Sequence, residues 1–312
     1  MSEIGYGAWG IGGNQWRGSS DEEGLNALRK ALELGVNFID TALAYNEGHS
    51  ERLISQVLKE TGAKAWVATK VPPKNRLWPA QPGIGIGEVF PYQYVIDSTE
   101  TSLRNLGVET IGLQQFHVWN SEWTAGDEWR RAVENLKKSG KIRYFGVSIN
   151  DHQPDSALEA VKTGLVDTVQ VIYNIFDQSP EKSLFPLVQQ MDVGVLARVP
   201  LDEGALTGTV TPETQFDPQE FRAWYFRGDR KREVYEHVQA LRKDLAATGV
   251  TELLADTALR FCLTHPAVST VIPGMRRIRN VEMNAQLSDR GPLSAEVLAV
   301  ARRHAWDKNY YQ

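Results

Sequence analysis

A unit of amphipathic helix, glycine and short apolar run repeats along the chain, and this repetition constrains the fold more than any other feature of the sequence. Leu25, Leu28 and Leu32 fall on one helical face at i, i+3 and i+7, Gly35 follows where a left-handed helix end is expected, and residues 36–40 are largely apolar. Trp129, Val133 and Leu136 stand in the same relation to Gly140 and residues 142–148, as do Leu158 and Val161 to Gly164 and 168–173. The stretch around Leu187 and Val188 leads to Gly194 and 195–199, while Leu254, Thr257, Ala258 and Phe261 precede 268–272. Residues 4–9, 65–70 and 111–117 bring the candidate strands to eight. Nearly continuous apolar strands separated by helices predict a parallel sheet covered by those helices, and eight such units predict an α/β fold closed as a (β/α)8 TIM barrel. No Ser-, Pro- or charge-rich linker divides the sequence, so residues 1–312 are expected to form a single domain.

Ser20-Asp21-Glu22-Glu23 reads as a capping box that starts the first helix. Two stretches break the rhythm: residues 72–91, rich in Pro and Gly, and residues 201–229, which carry Trp224, Tyr225 and Phe226. Both follow strands, and in a barrel such loops lie on the face where active sites are built. A net charge of −5 gives no electrostatic footprint for nucleic acid or an anionic membrane, so the expected partner is a small molecule. The start of the chain lacks a signal-peptide pattern, and no apolar run approaches the ~20 residues of a membrane span. The single cysteine, Cys262, is expected to be a buried thiol, in keeping with a cytoplasmic protein. The six histidines show neither HxH nor HExxH spacing, so no metal site is expected, and Gly83-Ile84-Gly85-Ile86-Gly87 lacks both the spacing and the preceding strand of a dinucleotide fingerprint.

Polar side chains gather where the apolar runs end. Asp40 closes the second strand, Lys70 the third and His117 the fourth, and Tyr45 follows Asp40 by five residues. Singly each has an ordinary explanation: a helix cap, a solvated strand end, a satisfied core histidine, a packed aromatic. Together they occupy the C-terminal ends of successive barrel strands, where catalytic groups are kept. A phenol with an unperturbed pKa of ~10 donates a proton poorly near neutrality unless its anion is stabilised. A nearby ammonium supplies that stabilisation, an aspartate fixes the ammonium, and a histidine can orient a carbonyl beside the phenol. Such a set suits protonation of a developing alkoxide while hydride arrives at carbon.

The run Phe38-Ile39-Asp40-Thr41-Ala42, with Tyr45, Gly48, Ser50 and Glu51 after it, then Thr69-Lys70 and Phe116-His117, resembles the aldo-keto reductase superfamily. The resemblance continues through Gly146-Val147-Ser148, Val169-Gln170, Tyr173-Asn174, Pro200-Leu201, Gly204, Leu206-Thr207-Gly208 and Ile272-Pro273-Gly274, nearly the whole length. It implies a (β/α)8 barrel, reversible carbonyl reduction, and a catalytic tetrad of Asp40, Tyr45, Lys70 and His117. It also implies NADP(H), with use of NAD(H) left open, held by Trp9, Asp40, Ser148, Gln170, Arg198, Leu201, Gly204, Leu206, Gly274, Arg276, Asn280 and Asn284. In this assignment Ser148 and Gln170 hold the nicotinamide amide, Leu201, Gly204 and Leu206 form the loop over the pyrophosphate, and arginines at the start of the last helix suit a 2′-phosphate.

Three departures accompany the match. The asparagine usual after the serine is Ile149, with Asn150 one place later; Arg198 stands where an aromatic commonly stacks on the nicotinamide; and the chain starts almost on the first barrel strand, without the family's N-terminal β-hairpin. The missing hairpin predicts lower stability rather than lost chemistry. Trp16, Tyr45, Trp78, His117 and Trp119 are the expected substrate-pocket residues for a small carbonyl or alcohol, and Arg198 with the polar loops leans toward sugar-like molecules. The alternative from a different class is a non-catalytic NADPH-binding redox sensor or scaffold on the same fold, of the kind known among potassium-channel β subunits. The sequence leaves the oligomeric state open.

Overall fold

The computed structural model describes residues 1–11 and 20–312. Among them eight parallel strands lie side by side in chain order: β1 (Tyr6–Gly7), β2 (Phe38–Asp40), β3 (Trp66–Val71), β4 (Ile111–Phe116), β5 (Ile142–Ser148), β6 (Thr168–Ile172), β7 (Gly194–Arg198) and β8 (Val268–Val271). The ring closes between β8 and β1. Ile4 bridges Val271 and Gly7 bridges Gly274, and the Gly5 amide donates to the Val271 carbonyl at 2.8 Å. Gly7 permits this closure, since a Cβ there would lie 2.7 Å from the Ile272 carbonyl oxygen and 2.8 Å from that of Pro273. The expected (β/α)8 barrel is therefore formed, and among the described residues no hairpin precedes β1.

Helices follow the strands on the outside: α1 (Asp21–Glu33), α2 (His49–Thr61), α3 (Ile86–Val89), α4 (Tyr92–Leu106), α5 (Glu128–Lys138), α6 (Leu158–Lys162), α7 (Leu184–Gln190), α8 (Phe221–Tyr225), α9 (Arg230–Ala246), α10 (Leu254–Thr264), α11 (Ile278–Ala285) and α12 (Ala295–Arg302). The capping box forms as read: the Ser20 hydroxyl accepts from the Glu23 amide at 3.2 Å and the Glu23 carboxylate from the Ser20 amide at 3.1 Å. Helix α1 buries Gly24, Ala27, Leu28 and Ala31, with Leu25 and Leu32 half-buried beside them, and Gly35 ends it at φ +85°. In α5 the buried stripe is Trp129, Ala132, Val133 and Leu136. Cys262 is buried, and its thiol donates to the Tyr173 carbonyl.

The two long loops carry structure of their own. Residues 72–91 contain α3 and bury Ile86, Val89 and Phe90; the Phe90 ring stacks on Phe116 of β4 with centroids 4.1 Å apart. Residues 201–229 contain a 3-10 turn (Asp202–Thr207) and α8; Tyr225 and Phe226 enter the core, leaving Trp224 exposed. No helix among the described residues is long and apolar enough to cross a membrane.

Strand register sets the barrel interior in layers. Phe38, Ala68, Leu113, Leu196 and Ile272 form an apolar plug, separate from the larger core between sheet and helices. Two residues further along their strands, on the same side of the pleat, come Asp40, Lys70 and Gln115. Lys70 pairs in register with Gln115, Gln115 with Gly146, and Ser148 with Gln170. A polar layer thus lies directly above an apolar one at the C-terminal mouth.

Candidate active site

The polar layer is built around one buried ion pair. Lys70 Nζ donates to Asp40 Oδ2 at 2.7 Å and to the Thr41 carbonyl at 2.8 Å, with the two side chains 1% and 5% exposed. The other Asp40 oxygen accepts from Gln170 Nε2 at 2.7 Å and from Gln115 Nε2 at 3.4 Å. Burying a carboxylate is costly unless its lone pairs are filled, and here side chains from three strands, β3, β4 and β6, fill them. Burial lowers the Lys70 pKa while Asp40 opposes that shift.

Tyr45 reaches this layer from the turn after β2. Its amide donates to the Ala42 carbonyl, Gly48 closes the turn onto Leu43 at 2.8 Å, and Asn46, Glu47 and Gly48 all carry positive φ. Beneath the turn Thr41 donates to Ser50 at 2.9 Å, and the buried Glu51 carboxylate accepts from Thr69 at 2.6 Å and Asn105 at 2.8 Å. Lys70 Nζ then lies 5.4 Å from the Tyr45 ring centroid, and the His117 ring stands edge-on to Tyr45 with centroids 5.8 Å apart. Asp40, Tyr45, Lys70 and His117 are thus brought together.

The electrostatics differ from expectation at the phenol. Burial is the main influence, Asp40 and Glu203 add to it, and together they hold the Tyr45 pKa above its ordinary value against the opposing Arg198. The Lys70 charge is shared with Asp40. His117 is held well below its usual pKa, first by burial and then by Lys70 and Arg198, so its ring is neutral near pH 7. Its Nδ1 is buried without a protein partner.

Arg198, at the end of β7, is anchored rather than free. One guanidinium nitrogen donates to Asp151 at 2.6 Å and to the Ile149 carbonyl at 3.2 Å, so its charge is largely answered within the protein. The shifted asparagine has a different task. Asn150 Oδ1 accepts from the Ala80 amide at 3.0 Å and its Nδ2 donates to the Ala80 carbonyl at 3.2 Å, pinning the loop after β3. That loop carries Trp78, whose ring stands edge-on to His117 at 5.8 Å. Ile149 is buried.

The remaining expected residues divide. Ser148 and Gln170 are buried at adjacent strand ends, with the Gln170 amide nitrogen committed to Asp40. Gly204 and Gly274 border open space, since a Cβ at either would meet nothing within 4 Å, and Arg276 lies against Gly10. Trp9 packs edge-on against Phe221 of α8 at 5.1 Å, linking the β1 loop to the β7 loop. Asn280 is exposed on α11, Asn284 buried on it, Leu201 half-buried and Leu206 fully buried, so the Leu206 side chain supports the loop from beneath. Trp16 lies outside the described residues. Trp119 is not a pocket wall: it is fully buried in an aromatic cluster, with centroids 5.3 Å from Trp129, 6.0 Å from Trp123 and 6.3 Å from Phe116. Strand β4 ends at Phe116, so the alternation that would carry Trp119 to the side of His117 stops before it.

Several site residues escaped the sequence reading. Gln115 sits two places before His117, and the period of a strand was signal enough to place both on one face. Glu203 and Tyr311 had no such signal: the Tyr311 hydroxyl donates to Glu203 Oε1 at 2.6 Å across 108 residues of chain. Burial pushes the Glu203 carboxyl up to about 7. Among the described residues, no cluster of three His, Cys, Asp or Glu could hold a metal.

Residues 3–305 match the sequence profile of the Aldo/keto reductase family. Aldo-keto reductase YhdN of Bacillus subtilis (strain 168) is 30% identical over 296 residues, covering 92% of this chain and 85% of its own. The solved glycerol dehydrogenase AKR11B4 from Gluconobacter oxydans is 29% identical and superposes with a TM-score of 0.78 over 99% of this chain and 94% of its own. An aldo-keto reductase from Klebsiella pneumoniae, solved in complex with NADPH, is 25% identical with a TM-score of 0.68 over 99% and 93%.

Proposed function

The chain belongs to the aldo/keto reductase family and is an NADP(H)-dependent oxidoreductase that interconverts carbonyls and alcohols; within that activity we propose that it acts on the CH–OH group of small alcohols or sugars and on the matching aldehydes and ketones, with Tyr45 as proton donor and acceptor. The observation that carries this reading is the convergence of Tyr45, the Lys70–Asp40 pair and His117 at one barrel mouth. A glycerol dehydrogenase among the structural neighbours supports a small polyol or carbonyl substrate.

The donor set fits a dinucleotide. Open space beside Gly204 and Gly274 leaves room for close backbone approach, Arg276 supplies a cation near the start of α11, and Ser148 and Gln170 present polar groups at the mouth. When bound, the nicotinamide supplies hydride to the carbonyl carbon. The protein's part begins with His117, whose neutral ring offers an N–H to the carbonyl oxygen and so orients it beside Tyr45. As that oxygen gains negative charge it becomes a strongly basic alkoxide, and even a phenol with a raised pKa can protonate it. The Lys70 ammonium over the ring and the nearby Arg198 stabilise the phenolate that remains, and Asp40 keeps Lys70 in place. Trp78, half-exposed beside His117, closes one side of the pocket.

The test is a panel of aldehydes, ketones, sugars and polyols followed at the nicotinamide absorbance with NADPH and NADH in parallel. Turnover of small carbonyls supports the reading; tight NADPH binding with no turnover across the panel would favour a sensor or scaffold instead.

A further inference from the structure

The loop after β7 carries two adjacent acids, Asp202 and Glu203, beside Gly204, where an anionic diphosphate is to be accommodated. Two uncompensated carboxylates there would repel it. Each is met by a residue from the far end of the sequence. Lys308 Nζ lies 2.8 Å from Asp202 Oδ2 and 2.9 Å from Oδ1, with the two side chains only 5% and 6% exposed, and the Tyr225 hydroxyl lies 3.1 Å from the ammonium and from Asp202 Oδ1. Tyr311 meets Glu203 as described above, and that carboxyl is pushed up to about 7, so near neutrality it is partly uncharged. The loop is also strained. Val199, Asp202 and Glu203 have φ of +54°, +49° and +55°, a region that costs energy for any side chain and most for the β-branched Val199. Asn174 holds the Val199 carbonyl at 3.0 Å from one side, and Lys308 holds Asp202 from the other.

Lys308 is itself firmly delivered. The Trp306 amide donates to the Phe176 carbonyl at 2.9 Å, its ring stacks on His237 with centroids 3.6 Å apart, and Lys308 Nζ sits 4.4 Å from the Tyr310 centroid and 5.2 Å from that of Trp306. We propose that Lys308 is a positioning residue for the dinucleotide: by neutralising Asp202 it keeps the loop after β7 in the charge state that an anionic diphosphate requires. The proposal rests on the reading of that loop as cofactor-binding.

Charge and bracing make opposite demands on the two single variants, which allows a test by sign. Dissociation constants for NADPH are measured by fluorescence titration for the full chain, Lys308→Met, Asp202→Asn and the double variant. Lys308→Met leaves a lone carboxylate and is expected to weaken binding about tenfold, whereas Asp202→Asn leaves a lone ammonium and tightens it about threefold. The double variant returns to within about twofold of the unaltered chain. If both single variants weaken binding alike, the pair only braces the loop and the proposal is overturned; unchanged constants overturn it as well. Should Lys308→Met fail to fold, Asp202→Asn decides alone, since tightening supports the proposal and weakening refutes it. An unaltered chain that binds neither NADPH nor NADH would remove the cofactor reading and the proposal with it, a result distinct from any pattern among the variants.

Discussion

Lys70→Met is the substitution whose consequences the geometry fixes most narrowly. The ammonium makes two hydrogen bonds in a site where it is 1% and its carboxylate partner 5% exposed. Removing it leaves Asp40 with only the amides of Gln170 and Gln115, at 2.7 and 3.4 Å, and no countercharge. Breaking a buried pair from one side costs about 3–5 kcal/mol, because the surviving charge stays desolvated. For 312 residues the unfolding entropy is about 0.65 kcal/mol/K, so a loss of about 4 kcal/mol lowers Tm by about 6 °C. The companion Asp40→Asn/Lys70→Met removes both charges and is expected to recover most of that loss, while carbonyl reduction stays abolished in both variants. Differential scanning calorimetry on the four members of the cycle gives the coupling directly. A fall of less than about 2 °C for Lys70→Met, or a double variant as unstable as the sum of the singles, would refute the buried-pair argument.

Three further residues carry expected outcomes. His117 is neutral well below pH 6.5, so kcat/KM for a carbonyl should stay level from pH 8 through 6.5. Because the unfolded chain takes up that proton first, stability should fall as pH drops below 6.5, a slope that denaturant titrations would find reduced in His117→Asn. Glu203 has the opposite sign: its folded pKa of about 7 exceeds the ordinary 4.5, so the folded state is favoured at low pH and loses that advantage as pH rises through 7. Glu203→Gln should therefore raise stability at pH 8 by about 2 kcal/mol, allowing for its partial exposure, and change it little at pH 4. Asn150→Ala removes both bonds to Ala80 and should cost about 1–2 kcal/mol in denaturant unfolding; by freeing the loop that carries Trp78, it should raise KM more than it lowers kcat.

The strands were legible because their side chains obey a local rule. An apolar run followed by Asp40, Lys70 or His117 states both the strand and the face its last residue occupies, and the capping box at Ser20 is contained within four residues. Trp119 was read as a pocket wall from its place beyond a strand end, and that position does not distinguish an indole facing the mouth from one packed into the core. Asn150 was visible only as an asparagine out of place; that it clamps Ala80 depends on a contact across 70 residues. Arg198 read as an isolated cation because Asp151, its partner, lies 47 residues away. The acids of the β7 loop likewise find Lys308 and Tyr311 more than 100 residues on, through packing of Trp306 that no local periodicity encodes.

The central claim is that Tyr45 moves the proton. Tyr45→Phe keeps the ring against His117 and Lys70 and removes only the hydroxyl. With saturating NADPH and 4-nitrobenzaldehyde, kcat is expected to fall by at least ~10²-fold, the usual contribution of a general acid, while the NADPH dissociation constant stays unchanged. A variant that retains more than about a tenth of the original turnover would place the proton donor elsewhere and contradict the account.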